Sequence, residues 1–522
     1  MYKENKILIG KANEQDVVIY PKMANRHGLI AGATGTGKTV TLKVLAESFS
    51  DAGVPVFMAD VKGDLAGTAC IGIESESVSS RVDKMGLNGF IFKKYPVTFW
   101  DVYETNGVPL RTTISEMGPL LMAQVLELND VQTELLTVVY KIADDEGLLL
   151  LDTKDLKSMI NYITDHQDAY SMAYGNISKK SMATIIRAIV ALEAQVGEQF
   201  FAEPSVNVKE WFATDENGRG LIQILDCQKL VNNPKLYASF MLWLMSELFE
   251  VLPEAGDLEK PKMVFFFDEA HLLFDTANTA LLQRIEQVVK LIRSKGVGIY
   301  FVTQSPSDIP DGVLGQLGNK IQHALHAYTP KEQKAAKVAS ESYRENPAFS
   351  TYDELLNLGI GEALVSVLDE QGIPTIVEKT KICPPQSLMG TIDSSMRTSL
   401  VEGSMAYTRY ADSYDRESAY EILIKKVEEN QKVLEDAKQK ALEEKQVQKQ
   451  REKEAKEAQK AIEKQEKQRK QAINRVGSTA ASTIGRELGN TLGKTVGGSF
   501  GKRLGGNVGS SIARGIFSTL IK

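Results

Sequence analysis

Two kinds of apolar run alternate along this chain. Short, almost wholly apolar stretches (HGLIAG, VPVFMAD, VTFWDVY, GLIQILD, KMVFFFD and VGIYFVTQ) read as strands buried on both faces. Segments with apolar residues every third or fourth position separate them and read as helices. In the first of these, VTLKVLAESFSDAG, the residues Leu42, Leu45, Ala46 and Phe49 share one face, which predicts an amphipathic helix. Strands that alternate with helices predict an α/β fold around a parallel sheet.

The alternation breaks in places, and the breaks suggest an order of parts. Residues 1–27 carry two short strand-like runs, KILIG and DVVIY, read as a β arm. The core occupies 28–111 and 211–382, and its last strands, EALVSVLD and PTIVEK, are expected to close it as an antiparallel pair. Between the two halves, 112–210 shows only helical spacing and is read as a helical insertion. Lys179, Lys180 and Arg187 make a modest basic cluster there, read as a solvated face. CPPQS marks the exit from the core, since consecutive prolines continue neither helix nor central strand. A linker over 383–417, a charged helix over 418–474 and a tail over 475–522 follow.

The charged helix has heptad positions at Tyr420, Val427, Leu434, Ala441, Gln448, Ala455 and Ile462, but the companion set includes Asn430, Glu444, Arg451 and Gln465. That seam suits a weak coiled coil or a lone helix, not a stable zipper. In the tail, glycine recurs at every fourth residue from Gly485 to Gly509, with Leu488, Leu492, Val496 and Phe500 among the residues before it. Glycine costs a helix up to about 1 kcal/mol per residue, so this spacing implies close helix contact if a helix forms. Seven Lys or Arg against one Glu give 475–522 a net charge of +6, which suits an anionic membrane surface, a protein partner or self-association. A glycine-rich tail without a partner is the other reading.

Composition narrows little. At 522 residues, 43% hydrophobic and 25% charged, the chain is an ordinary globular protein, and its net charge of -7 carries no general signature of nucleic-acid binding. Cys70, Cys227 and Cys383 are far apart and form no zinc or disulfide pattern, which fits a cytoplasmic location. MYKENKILIG does not read as a signal peptide, and LYASFMLWLMSELFEVL contains Glu247 and Glu250 and reads as a core helix, not a membrane span.

The chemistry is concentrated in GATGTGKT: Gly32, Ala33, Thr34, Gly35, Thr36, Gly37, Lys38 and Thr39, followed by Val40. The spacing is that of a phosphate-binding loop between a strand and a helix. Its glycines let successive N–H groups face phosphate oxygens, the helix adds its positive end, and Lys38 reaches the β- and γ-phosphates. The Thr39 hydroxyl is placed for Mg²⁺, so ATP and Mg²⁺ are the expected ligands. Two acids follow the apolar run Met263–Phe267: Asp268, suited to hold Mg²⁺, and Glu269, suited to orient and deprotonate the attacking water. Asp60, Lys62, Gly63 and Asp64 lie at another strand's carboxyl end, where such sheets place ligands. Gln304 ends the strand VGIYFVTQ and is either a γ-phosphate sensor or an ordinary strand-end amide. Arg293 is a candidate finger for a neighbouring subunit's nucleotide, with Arg284 as its competitor and surface pairing as the plain alternative.

With GATGTGKT, DVKGDL, FFFDEAH, IRSKGVGIYFVTQ and LGNKIQHALHAYTPKEQKA in this order, the chain resembles the HerA/FtsK branch of P-loop ATPases, in particular the bacterial HerA-like proteins. The resemblance covers roughly residues 5–420. It implies a RecA-like core, a homo-oligomeric and hexameric ring, and ATP-driven movement of DNA. It also implies that Glu269 is the catalytic base, Gln304 the sensor and an arginine near Arg293 a residue acting across the subunit boundary. HerA proper has a β-barrel before its phosphate loop, whereas 31 residues precede Gly32 here. The resemblance thus implies a DNA translocase or helicase, and the second reading is an ATP-gated scaffold that binds protein or membrane partners without moving DNA.

Overall fold

The computed structural model describes residues 1–473 apart from 197, 257 and 276. The glycine-repeat tail at 475–522, with the self-association and membrane contact expected of it, lies outside the described residues. Two units are distinguished: the first is Met1–Val427, and the second begins at Glu428.

The first unit is built on a thirteen-stranded sheet. Its strands are β1 (Tyr2–Lys3), β2 (Lys6–Ala12), β3 (Gln15–Ile19), β4 (Gly28–Ala31), β5 (Val56–Asp60), β6 (Val97–Asp101), β7 (Val108–Pro109), β8 (Ile222–Asp226), β9 (Met263–Phe267), β10 (Val297–Thr303), β11 (Asn319–His323), β12 (Glu362–Ser366) and β13 (Glu378–Ile382). Across the sheet they run β1-β2-β13-β12-β11-β4-β10-β9-β5-β8-β6-β7, and β3 pairs with β2. From β11 to β7 every pairing is parallel. β12, β13, β2, β1 and β3 extend it as an antiparallel edge. This is the α/β architecture of a RecA-like P-loop NTPase.

Every residue of β4, β5, β8, β9 and β10 is buried, as their unbroken apolar runs require. Phe57 of β5 stacks on Phe265 of β9 at 4.8 Å and on Trp211 at 5.4 Å. A phenylalanine at such a site contributes about 3–5 kcal/mol over alanine. His27 pins the amino edge of this core. Its Nδ1 accepts the Ile299 N–H and its Nε2 donates to the Val289 carbonyl, both at 2.9 Å. Burial brings its pKa down to about 4, which keeps the ring neutral.

The helix after the phosphate loop, α1 (Lys38–Asp51), departs from the amphipathic expectation. Its buried residues include Lys43, Glu47, Ser48 and Ser50 besides the apolar face. The reason lies in chain distant in sequence. Residues 383–417, read as a linker, begin by lying over this helix: Glu47 accepts the backbone N–H groups of Gln386 (2.7 Å) and Ser387 (3.1 Å), and Lys43 Nζ donates to the Leu388 carbonyl. Further on, Arg397 pairs with Asp226 at 3.0 Å, and the Tyr410 carbonyl accepts from Arg111 at 2.8 Å.

The region read as a helical insertion holds α3 (Ile114–Val125), α4 (Asp130–Asp145), α5 (Thr153–Asp165), α6 (Gln167–Tyr174) and α7 (Lys179–Val196), after α2 (Glu76–Met85) in the core. Reciprocal caps start three of them, Thr113 with Glu116, Asn129 with Gln132, and Asp152 with Asp155. The apolar spacing did not predict α6, which has no fully buried residue and so little stripe to read. The apolar run around Trp243 forms α8 (Pro234–Val251), buried in the core. Among the described residues no helix is long and apolar enough to cross a membrane.

The expected closing pair is present with a shifted boundary. β13 begins at Glu378, four residues after Pro374. Residues 374 and 375 instead close a hairpin, with a bridge between Leu368 and Pro374 and the Thr375 N–H donated to the Val367 carbonyl at 2.9 Å. The charged helix runs Ala419–Ile473. Ala419 and Leu423 at its start are buried, whereas Leu434 and Ile462 farther along are 53% and 55% exposed.

Candidate functional site

The phosphate-loop residues join the end of β4 to the start of α1. Gly32, Gly35 and Gly37 have φ of 154°, 81° and 111°, a region that side chains strongly disfavour. Packing adds a second constraint at Gly32, where a Cβ would lie 2.5 Å from the Cβ of His323. Thr36 ties the loop to itself through its hydroxyl, donated to the Ala33 carbonyl at 2.7 Å. Lys38 is buried and donates from Nζ to the carbonyls of Gly32 (2.6 Å) and Ala33 (3.1 Å). Burial lowers its pKa, while the charges of Glu269 and Asp268 oppose that shift. Thr39 and Val40 follow it in the first turn, both half-buried, and Thr34 and Gly35 are exposed.

The acids stand two strands away. β9 is separated from β4 by β10, and all three end on the same edge. Asp268 is 4% exposed, and burial followed by repulsion from Glu269 brings its pKa up to about 6. The Lys62 charge opposes this shift without cancelling it, and a buried carboxylate of this kind fits a divalent cation beside it. Glu269 turns the chain out of the strand with φ of 47°, a left-handed conformation that costs a non-glycine residue about 1 kcal/mol and is found at functional sites. Its Oε1 receives Lys62 Nζ at 2.6 Å, and its Oε2 receives Gln304 Nε2 at 3.3 Å. His271 Nδ1 lies 3.4 Å from the same Oε2, so this ring faces the carboxylate. Burial opposes ionisation of Glu269, but Lys62, Gln304 and His271 outweigh it and keep the carboxyl below its ordinary range.

The structure thus brings Lys38, Asp268, Glu269 and Gln304 to one edge of the sheet. Arg293 is elsewhere: it precedes β10, at the amino edge, where its charge acts on His27. Within one chain it lies at the opposite end of the strands from the phosphate loop. Arg284 is exposed and donates to Gln287 at 3.0 Å.

Several supports of the loop were not legible in the sequence. His323 Nε2 meets the Thr41 hydroxyl at 2.8 Å, and burial holds its pKa down at about 4. The Gly361 N–H donates to the Thr36 carbonyl at 3.0 Å. Arg81 in turn donates to the carbonyls of Gly361 and, at 2.8 Å, Ile382. These residues come from β11, the turn just before β12, and α2, and only the sheet order places them beside the loop. A cleft of about 610 Å³ opens next to Ala33 and Thr34 and is lined also by His271, Gln304, Leu325 and Tyr328.

Comparison with known proteins decides the family. Residues 5–505 match the family described as Helicase HerA-like C-terminal. The chain belongs to this HerA-like helicase family. A probable helicase of Methanocaldococcus jannaschii is 22% identical over 346 residues, covering 66% of this chain and 60% of its own length. A protein of Sulfurisphaera tokodaii named DNA double-strand break repair helicase HerA is 22% identical over 377 residues, covering 70% and 67%. This HerA-like chain therefore spans about three fifths of the first relative. Its fold also resembles that of the plasmid coupling protein TrwB solved with a non-hydrolysable ATP analogue. The TM-score there is 0.51 at 14% identity, with 76% of this chain and 92% of TrwB covered.

Proposed function

We propose that this HerA-like chain is a Mg²⁺-dependent ATP hydrolase that assembles into a homo-oligomeric, hexameric ring and moves DNA. The observation that carries the hydrolytic part is the convergence of the buried Lys38 and Asp268 with Glu269 at one sheet edge. In this reading the backbone of Gly32–Thr39, with Val40, holds the phosphates, and Lys38 exchanges its two loop carbonyls for β- and γ-phosphate oxygens. Thr39 and Asp268 would hold Mg²⁺, which when bound neutralises phosphate charge. Glu269 orients the attacking water and takes its proton, and Gln304, already within 3.3 Å of it, reads the γ-phosphate side. Arg293 at the far edge serves the nucleotide of a neighbouring subunit, neutralising charge that builds on the transferred group.

Movement of DNA is supported by family membership and by the names of the relatives, helicases of DNA repair among them. Three free cysteines suit work in the cytoplasm. The test is the steady-state ATPase rate with and without single- and double-stranded DNA. Stimulation by DNA is expected. Hydrolysis indifferent to DNA, together with no DNA binding, would leave the ATP-gated scaffold as the better reading, with a protein or membrane surface as the partner of the basic tail.

A further inference from the structure

Both oxygens of the Glu269 carboxylate are already engaged in this chain. Lys62 Nζ sits 2.6 Å from Oε1, while Gln304 and His271 share Oε2 at 3.3 and 3.4 Å. The Lys62 contact follows from the fold. β5 and β9 pair in register with Ala59 opposite Phe267, so the residues that leave the two strand ends are neighbours. The turn that presents Lys62 is fixed from behind: the Asp60 carboxylate accepts the N–H groups of Gly63 (2.7 Å) and Leu65 (3.2 Å), and Gly63 has φ of 80°.

The two partners differ in freedom. The Glu269 side chain is 7% exposed and its backbone is held in the left-handed region, whereas the Lys62 side chain is 44% exposed. A lysine is a point charge on a flexible stem, so Lys62 can leave for solvent with little loss of packing, and Glu269 cannot follow. A carboxylate oxygen paired with an ammonium group has one acceptor site fewer and is a weaker base toward water.

We propose that Lys62 is a latch on the hydrolytic base: its ammonium occupies the Glu269 oxygen that receives the proton of the attacking water, so turnover waits on its departure. This rests on the ATPase reading above. Once Lys62 has left, the water oxygen bonds to the γ-phosphorus, the bond from that phosphorus to the bridging oxygen breaks, and ADP departs with the electron pair. The water proton passes to Glu269 Oε1. Lys62 is thus a positioning residue that acts through Glu269.

The experiment compares the full chain with Lys62→Met and Lys62→Arg under saturating Mg²⁺ and ATP without DNA, recording kcat, KM and the thermal midpoint. In Lys62→Met kcat rises about fivefold, the factor held back by one partly exposed ion pair, while KM changes less than about twofold. Lys62→Arg, which keeps the charge, returns kcat toward the wild-type value. A structural role would shift the midpoint without this split. A kcat in Lys62→Met that is unchanged or lower at an unchanged midpoint overturns the latch, as does an equal rise in Lys62→Arg. Should methionine lower the midpoint, Lys62→Gln is judged by the same two numbers. Hydrolysis by neither the wild type nor any variant overturns the ATPase reading instead.

Discussion

Glu269→Gln is expected to lower ATP turnover by a factor of about 10²–10⁴, the usual contribution of a positioned general base, while ATP affinity stays within a few-fold of the wild type. The amide keeps the size of the side chain and an oxygen for one of its partners, but it loses the charge that draws Lys62 to 2.6 Å and the lone pair that accepts a proton. Because Lys38, Asp268 and the loop backbone are untouched, binding and chemistry should separate. Steady-state hydrolysis set against equilibrium titration with a fluorescent ATP analogue checks this. Equal losses in both would mean that Glu269 serves the fold of the site and not the reaction.

Lys38→Ala is expected to lose both. The Lys38 ammonium is buried and, among the described residues, hydrogen-bonds the carbonyls of Gly32 and Ala33, partners that phosphate oxygens would replace with full negative charge. Its removal leaves those carbonyls with one donor fewer and takes a fixed positive charge from the phosphate path. A fall in hydrolysis of at least about 10²-fold follows, on the scale of losing one charge-stabilising donor. The same titration should show weakened ATP binding, with the thermal midpoint of the chain without nucleotide little changed. Binding within threefold of the wild type would contradict the role given to Lys38.

These two residues were legible because their signals are local. The phosphate loop is one contiguous stretch whose glycines are required by backbone angles, and Asp268 and Glu269 follow an apolar run that reads as a buried strand. What was not legible depends on register or on distant chain. In the sequence Lys62 is one of several polar residues at a strand's carboxyl end, and only the pairing of β5 with β9 makes it the partner of Glu269. His323, Arg81 and Gly361 support the loop from elements that only the sheet order brings near. The helix after the loop looked amphipathic because periodicity cannot show that Gln386 and Ser387 cover its polar side and satisfy Glu47. In α6 the opposite holds, for a helix with no fully buried residue leaves little stripe to read.

The same contrast separates the chemistry from its purpose. Phosphate chemistry requires particular residues at particular spacings, and Gly32–Thr39 and the pair Asp268–Glu269 have the spacings that signal it. Contacts to a nucleic-acid backbone need only distributed positive charge, which leaves no such spacing in a chain of net charge -7.

The most direct test of a DNA motor in this chain is ATP-driven displacement of a labelled third strand from a DNA triplex whose duplex extends beyond it. Displacement is expected with ATP and Mg²⁺ and should be absent with a non-hydrolysable analogue or in Glu269→Gln. Vigorous ATP hydrolysis with the third strand left in place, across duplex lengths and flanking single strands, would contradict a motor that moves on DNA.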